Sequence, residues 1–261
     1  MDTGLLATLF VLGLCGGFLS GMVGIGGGIV MFPLLLYVPP ALGFAAITVK
    51  AAAAITSVQS LFGAVSGAVN HHRHKRVHVP LAWGFGGTMA ATSFLGSMLS
   101  GAISERWILV VFAAMASTAA ILMLMQRPEV EERSDEQHFN FSRVRAMGLG
   151  AGIGVCSGIV GQGGGFLFVP VLMYFLNAPL RVAIGTALAV GVASSAAVVL
   201  GRAGMAQIPY LLAGVTVAGA IVGAQLGAEL SQRTPRRLLR RVLSIVVLAT
   251  AAKMVYGLVT G

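Results

Sequence analysis

The sequence predicts an all-α polytopic membrane protein. Two homologous four-segment halves lie in inverted topology, each opening with a glycine-broken, re-entrant helix pair. Three observations predict this class. The 261 residues are 57% hydrophobic and only 10% charged, with a mean hydropathy of +0.90. A glycine-rich stretch and its surroundings occur twice. Lys and Arg collect on one side of a bilayer only if both glycine stretches turn the chain back.

A soluble domain carries about 25% charged residues, so this chain cannot cover a water-facing surface. Apolar runs near the ~20 residues needed to cross a bilayer recur along its length. A net charge of +9 would suit nucleic acid, but nearly all the basic residues lie between apolar segments. Loops of membrane proteins carry such residues on the cytoplasmic side. The expected partner is therefore the lipid bilayer, with no nucleic acid. Cys15 and Cys156 form no CxxC pair or disulfide framework. The N-terminal MDTGLLATLF lacks a positive region and a cleavage site, and reads as mature protein rather than a signal peptide.

In chain order, apolar segments fall at about 4–38, 42–69, 79–101, 107–126, 145–176, 182–200, 208–230 and 238–258. The expected organisation is an N-terminal membrane repeat (1–126), a polar cytoplasmic linker (127–143) and a C-terminal membrane repeat (144–261). SGMVGIGGGIVMFP from Ser20 to Pro33 returns as SGIVGQGGGFLFVP from Ser157 to Pro170, an offset of 137. At the same offset AAITVKAAAAITS (45–57) faces VAIGTALAVGVASS (182–195). Further on, GSMLSGAISER (96–106) matches GAQLGAELSQR (223–233).

The first segment of each half has an awkward length. Thirty-five helical residues would span roughly 52 Å, too long for one ~30 Å crossing and too short for two. The glycine run divides it into two arms, as in a broken or re-entrant hairpin buried in protein or lining a watery cavity. If all eight segments crossed once, one side would receive Arg73, Lys75, Arg76, Arg127, Arg133, Arg143, Arg145 and Arg202. The other would receive Arg106, Arg181, Arg233, Arg236, Arg237, Arg240 and Arg241, a near-even split that contradicts the positive-inside rule. If the glycine-broken segments return to their side of entry, only Arg106 and Arg202 stand opposite the rest. Each half then has one hairpin and three crossings, so the halves are inverted. Equivalent loops should differ in charge, and HHRHKRVH (71–78) indeed corresponds to the nearly neutral GRAGMAQ (201–207). Inverted repeats are a hallmark of secondary transporters, which bind substrate at discontinuous helices. Both termini are expected outside the cytoplasm.

The second arms should begin at about Ile29 and Phe166, each exposing unpaired N–H groups and a partial positive charge that attract anions. Glycine lets an anion approach the backbone closely. Gly24, Gly26, Gly27 and Gly28, with Gly161, Gly163, Gly164 and Gly165, are therefore candidate substrate contacts. Gly13, Gly17 and Gly21, repeated as Gly150, Gly154 and Gly158, read instead as a small-residue packing ridge. Ser20, Ser157, Gln162, Thr186, Ser57 and Ser194 could donate hydrogen bonds to oxyanion oxygens, although each could equally bond locally. Lys50 lies inside an apolar segment, where it would attract an anion or snorkel to the interface. Its repeat partner is Ala187.

No enzyme is expected. G-x-G-x-x-G fails at Ile29 and Phe166, and neither H-E-x-x-H nor a Ser-His-Asp arrangement occurs. No metal or cofactor is called for, since HHRHKRVH has no nearby Cys, Asp or Glu and topology already explains it.

The duplicated SGMVGIGGGIVMFPLLL and SGIVGQGGGFLFVPVLM, the central linker and AIGTALAVGVASS resemble the TauE/SafE family of sulfite and organosulfonate exporters. It is also called the 4-toluene sulfonate uptake permease family. The resemblance covers nearly the whole chain. It implies movement of a small sulfur-containing anion such as sulfite or an organosulfonate across a bacterial inner membrane, with a proton or ion as candidate coupling partner. One departure concerns Gly185 and Thr186, which stand as Thr48 and Val49 in the first half. Residues alone leave open a channel-like permease for another anion and a non-transporting scaffold or sensor. They also leave open the direction of movement and the oligomeric state.

Overall fold

Glycines set the way the helices pack. The computed structural model describes residues 3–23, 28–72, 78–125, 141–162, 165–178, 180–205 and 208–233, together with 245, 248–254 and 256–257. Among them are helices and no strand. The order is α1 (Thr3–Val23), α2 (Gly28–Ala41), α3 (Val49–His72), α4 (Val79–Leu81), a π turn (Ala82–Gly86), α5 (Gly87–Leu99) and α6 (Glu105–Leu124). The second half supplies α7 (Arg143–Val160), α8 (Gly165–Phe175), α9 (Leu180–Ala203) and α10 (Tyr210–Arg233). The long segments expected at 4–38 and 145–176 are thus each two helices. Their second arms begin at Gly28 and Gly165, one residue before the expected positions. The linker calls at 126–140 lie outside the described residues.

Five helices are long and apolar enough to cross a membrane, in 3–21, 105–123, 143–160, 185–203 and 210–227. Together with the shorter apolar helices 28–41, 49–65 and 166–175, they make this a multi-pass membrane protein. Lipid tails are as apolar as leucine, so close backbone contact rather than the hydrophobic effect holds such helices together. The glycine ridges supply that contact. A Cβ on Gly13, Gly17 or Gly21 of α1 would strike the backbone of Thr216, Ala220 or Ala224 on α10, and Gly219 and Gly223 return the contact to Phe10 and Leu14. The constant spacing makes α1 and α10 parallel. In the other pair, Gly150, Gly154 and Gly158 of α7 press on Phe85, Met89 and Ser93, and Gly96 presses on Val155. Hence α7 is parallel to the rod formed by the π turn and α5. On a third face Gly86 meets Val190 and Gly201 meets Ser97, so α9 is parallel to that rod as well. α1 therefore packs on α10 and α7 on α5, so the first helix of each half rests on a helix of the other.

The two short arms, α2 and α8, are held inside. Each carries a proline five residues after its start, Pro33 and Pro170. A proline there cannot donate to the carbonyl four residues back, on Ile29 or Phe166. Both arms rest on α6, with Phe112 of α6 at 4.8 Å from Phe32 of α2 and 6.3 Å from Phe166 of α8 between ring centroids. These three rings are buried.

Candidate functional site

The second glycine stretch stops α7 in a way only glycine permits. Gly161 caps the helix in the left-handed region at φ 79°, its N–H donating to Ser157 O at 2.9 Å. A Cβ there would run into the Ala53 carbonyl on α3. This tight approach delivers Gln162 to the interior, where it is buried. Its Nε2 donates to the Gly28 carbonyl at 2.8 Å, which is the first residue of α2. Gln162 Oε1 has no partner among the described residues. Gly28 in turn leaves just enough room, because its Cβ position lies 3.1 Å from Gln162 Cγ and from Ser60 Oγ. One glycine break is thereby bonded to the other, against the flank of α3.

The helices α3, α7 and α9 carry further buried polar side chains. Thr56, Ser57, Gln59 and Ser60 of α3, Ser157 of α7 and Ser194 and Ser195 of α9 are all buried. Gln59 Oε1 and Ser157 Oγ have no hydrogen-bond partner among the described residues. Each such group costs about 1–3 kcal/mol in desolvation, so a cluster of them is expensive unless a ligand or water completes it. Ser57 donates to Ala54 O and Ser194 to Gly191 O, local helix bonds of the kind the sequence left open. Ser20 is buried near the end of α1.

Two candidates serve other contacts. Lys50 Nζ donates to Gly101 O at 2.8 Å, while Glu105 accepts the Val49 N–H, so the start of α3 is tied to the α5–α6 turn. Thr186 Oγ1 accepts the backbone N–H of His78 at 3.2 Å and ties α9 to the start of α4. The calls on Gly24, Gly26, Gly27, Gly163 and Gly164 lie outside the described residues, and Gly165 begins α8.

Arg202 is the residue that sequence reasoning misplaced. The charge tally treats it as a loop cation, yet α9 extends to Ala203 and encloses Arg202 completely. Its Nη2 donates to the carbonyls of Ile159 at 2.9 Å and Gly158 at 3.3 Å, at the end of α7. Nε and Nη1 have no partner among the described residues. The only signal in the sequence is the neighbouring Gly201, whose small size lets α5 close against α9 beside the guanidinium. Gly201 packs directly on Ser97.

The set of groups is one of amides, hydroxyls and a cation. Among the described residues no cluster of three or more His, Cys, Asp or Glu could hold a metal. The described carboxylates, Glu105 and Glu229, stand on α6 and α10 rather than at the junction.

Comparison with known proteins agrees with this architecture. A "Probable membrane transporter protein" of Xylella fastidiosa (strain Temecula1) is 31% identical over 66% of this chain, and the chain spans a little under two thirds (64%) of that relative's length. The "Probable membrane transporter protein YdhB" of Bacillus subtilis (strain 168) is 28% identical over 71% of this chain and 72% of its own. A second Bacillus subtilis relative, the "Probable membrane transporter protein YunE", is 25% identical over 69% of this chain and 71% of its own. No solved structure matches. The model of the family "Sulfite exporter TauE/SafE" matches residues 9–254, which include both glycine stretches, α2 to α10 and all but the first residues of α1. This chain is a member of the sulfite exporter TauE/SafE family.

Proposed function

We propose that this protein is a secondary transporter exporting small sulfur-containing anions, such as sulfite or organosulfonates, by alternating access around the paired glycine breaks. The observation that carries the reading is the bond from Gln162 to Gly28, which joins the two breaks inside a buried polar cluster. Substrate sites of inverted-repeat transporters lie where discontinuous helices meet.

Helix directions support the inverted arrangement. Gly4 at the start of α1 packs on Phe44, just before α3, so the α1–α2 unit begins and ends at the same end of the molecule. Since α7 and α9 both run parallel to α5, α8 must carry the chain back between them. In this reading Arg106 and Lys50 belong to one end, where Lys50 donates to Gly101 O and Glu105 accepts the Val49 N–H, and the 71–78 loop, the linker, Arg181 and Arg233 are assigned to the other. The positive-inside rule then makes the second end cytoplasmic, in a bacterial inner membrane. The two repeats would be 1–126 and 144–261, joined by the cytoplasmic linker 127–143.

The test is flux from proteoliposomes holding radiolabelled sulfite or a small sulfonate, with and without an imposed proton gradient. Saturable flux that responds to the gradient is expected, and Gln162→Ala should lower it at least about tenfold through loss of a buried polar contact. Flux that neither saturates nor responds to Gln162→Ala would identify a channel or a scaffold instead.

A further inference from the structure

We propose that Arg202 is the charge-pairing residue for the translocated anion, and that its ligand is an oxyanion with at least two terminal oxygens. The inference rests on the transport reading above and adds a residue and a chemistry to it. Arg202 is fully enclosed, and a guanidinium keeps its charge under all physiological conditions. No carboxylate among the described residues bonds to it. A cation in a transmembrane segment is rare and functional unless something compensates it.

The ordinary compensation would be helix capping, because a cation favours the negative C-terminal end of α7. Capping accounts for Nη2 alone, on Ile159 O and Gly158 O. It leaves three N–H donors, one on Nε and two on Nη1, without acceptors among the described residues. The adjacent groups are also incomplete. Ser157, the residue before Gly158, and Ser93, on the turn of α5 that packs against Gly158, each have a buried hydroxyl without a partner among the described residues. Two hydroxyls and a planar, cationic fork match a tetrahedral or trigonal oxyanion, for which arginine supplies two donors at once. The two α7 carbonyls fix the guanidinium, so the fork is oriented before the anion arrives. Enclosure by α5, α7 and α9 means that the anion reaches Arg202 when the α7–α8 unit shifts against the other two helices. The first repeat has Val65 at the matching offset, so this pairing belongs to one half only.

The test uses full-length protein in nanodiscs, with equilibrium binding of sulfite, methanesulfonate, acetate and the uncharged dimethyl sulfone. Wild type should bind at least one of the anions and not the neutral sulfone. Arg202→Gln should weaken that binding about a hundredfold, and Arg202→Lys, which keeps the charge but not the fork, about tenfold. If wild type binds the anions and Arg202→Gln binds them equally well while melting at a lower temperature, Arg202 is only a cap and the inference is overturned. If wild type binds none of them, the anion-transport reading itself is overturned. Should Arg202→Gln not fold, Arg202→Lys decides: unchanged affinity and unchanged preference among the anions would overturn the assignment.

Discussion

At the residue scale, similar glycines have opposite uses, and the surroundings of the missing Cβ tell them apart. Gly17 faces the Ala220 backbone across the α1–α10 contact, with no flexible atom to move aside. Gly17→Ala should therefore destabilise the protein by about 1–3 kcal/mol, the usual cost of overpacking. Gly152, in the same kind of sequence on α7, has nothing within 4 Å of its Cβ position. There alanine removes only the entropic cost of a glycine in a helix, so Gly152→Ala should be neutral or stabilising by up to ~1 kcal/mol. Differential scanning fluorimetry in one detergent checks both, and equal losses of Tm would sink the distinction. The packing role of Gly13, Gly17 and Gly21 was legible because small residues at a four-residue spacing mark a close helix contact. Arg202 was not legible. Its burial depends on α7 ending beside it, with bonded residues 43 and 44 positions apart in sequence, so it is a fact about two segments rather than about either one.

At the element scale, the segments were legible but their ends and irregularities were not. The apolar run at 79–101 gives no hint that Ala82–Gly86 forms a π turn, which arises where Gly150 and Val190 press on Phe85 and Gly86. The start of this rod has its own control. His78 is the N-cap of α4, its Nδ1 accepting the Leu81 N–H at 3.3 Å, and its ring meets Phe141 edge-on. Accepting that bond requires an unprotonated Nδ1, and burial pushes the imidazole pKa below its ordinary value. For a base with a lowered folded-state pKa, the contribution is fully present above the ordinary value of about 6.5. It declines as pH falls through the folded value. Stability should therefore drop between pH 7.5 and pH 5.5. His78→Asn keeps a capping acceptor that does not titrate, so it should show a smaller drop than wild type. An identical pH profile of Tm for the two proteins would exclude His78 as the source.

At the scale of the whole molecule, charge and geometry bear independently on one proposal, that the chain reverses at each glycine stretch. The tally of Lys and Arg needed only the sequence, and it required each glycine stretch to reverse the chain. The packing of Gly4 on Phe44, and the parallel runs of α5, α7 and α9, support the proposed reversal with no reference to charge. Enclosing Arg202 within α9 removes it from the loop tally. In the proposed topology Lys50 stands beside Arg106 at the less basic end. Topology is thus the part of the transport reading that can be tested without knowing the substrate. Single cysteines in a background lacking Cys15 and Cys156 would be placed at Thr3, at the exposed Leu42, at His74 and at His138. An impermeant maleimide added to intact cells should label positions 3 and 42 and spare positions 74 and 138. In inverted vesicles the pattern should reverse. Labelling of positions 3 and 42 from opposite sides would mean that α1 and α2 together cross the bilayer, and the reversal inferred from Gly4 and Phe44 would be wrong. Labelling of 3 and 74 from one side would instead break the inverted relation between the halves. The two glycine breaks could then no longer enter from opposite faces toward the Gln162–Gly28 bond.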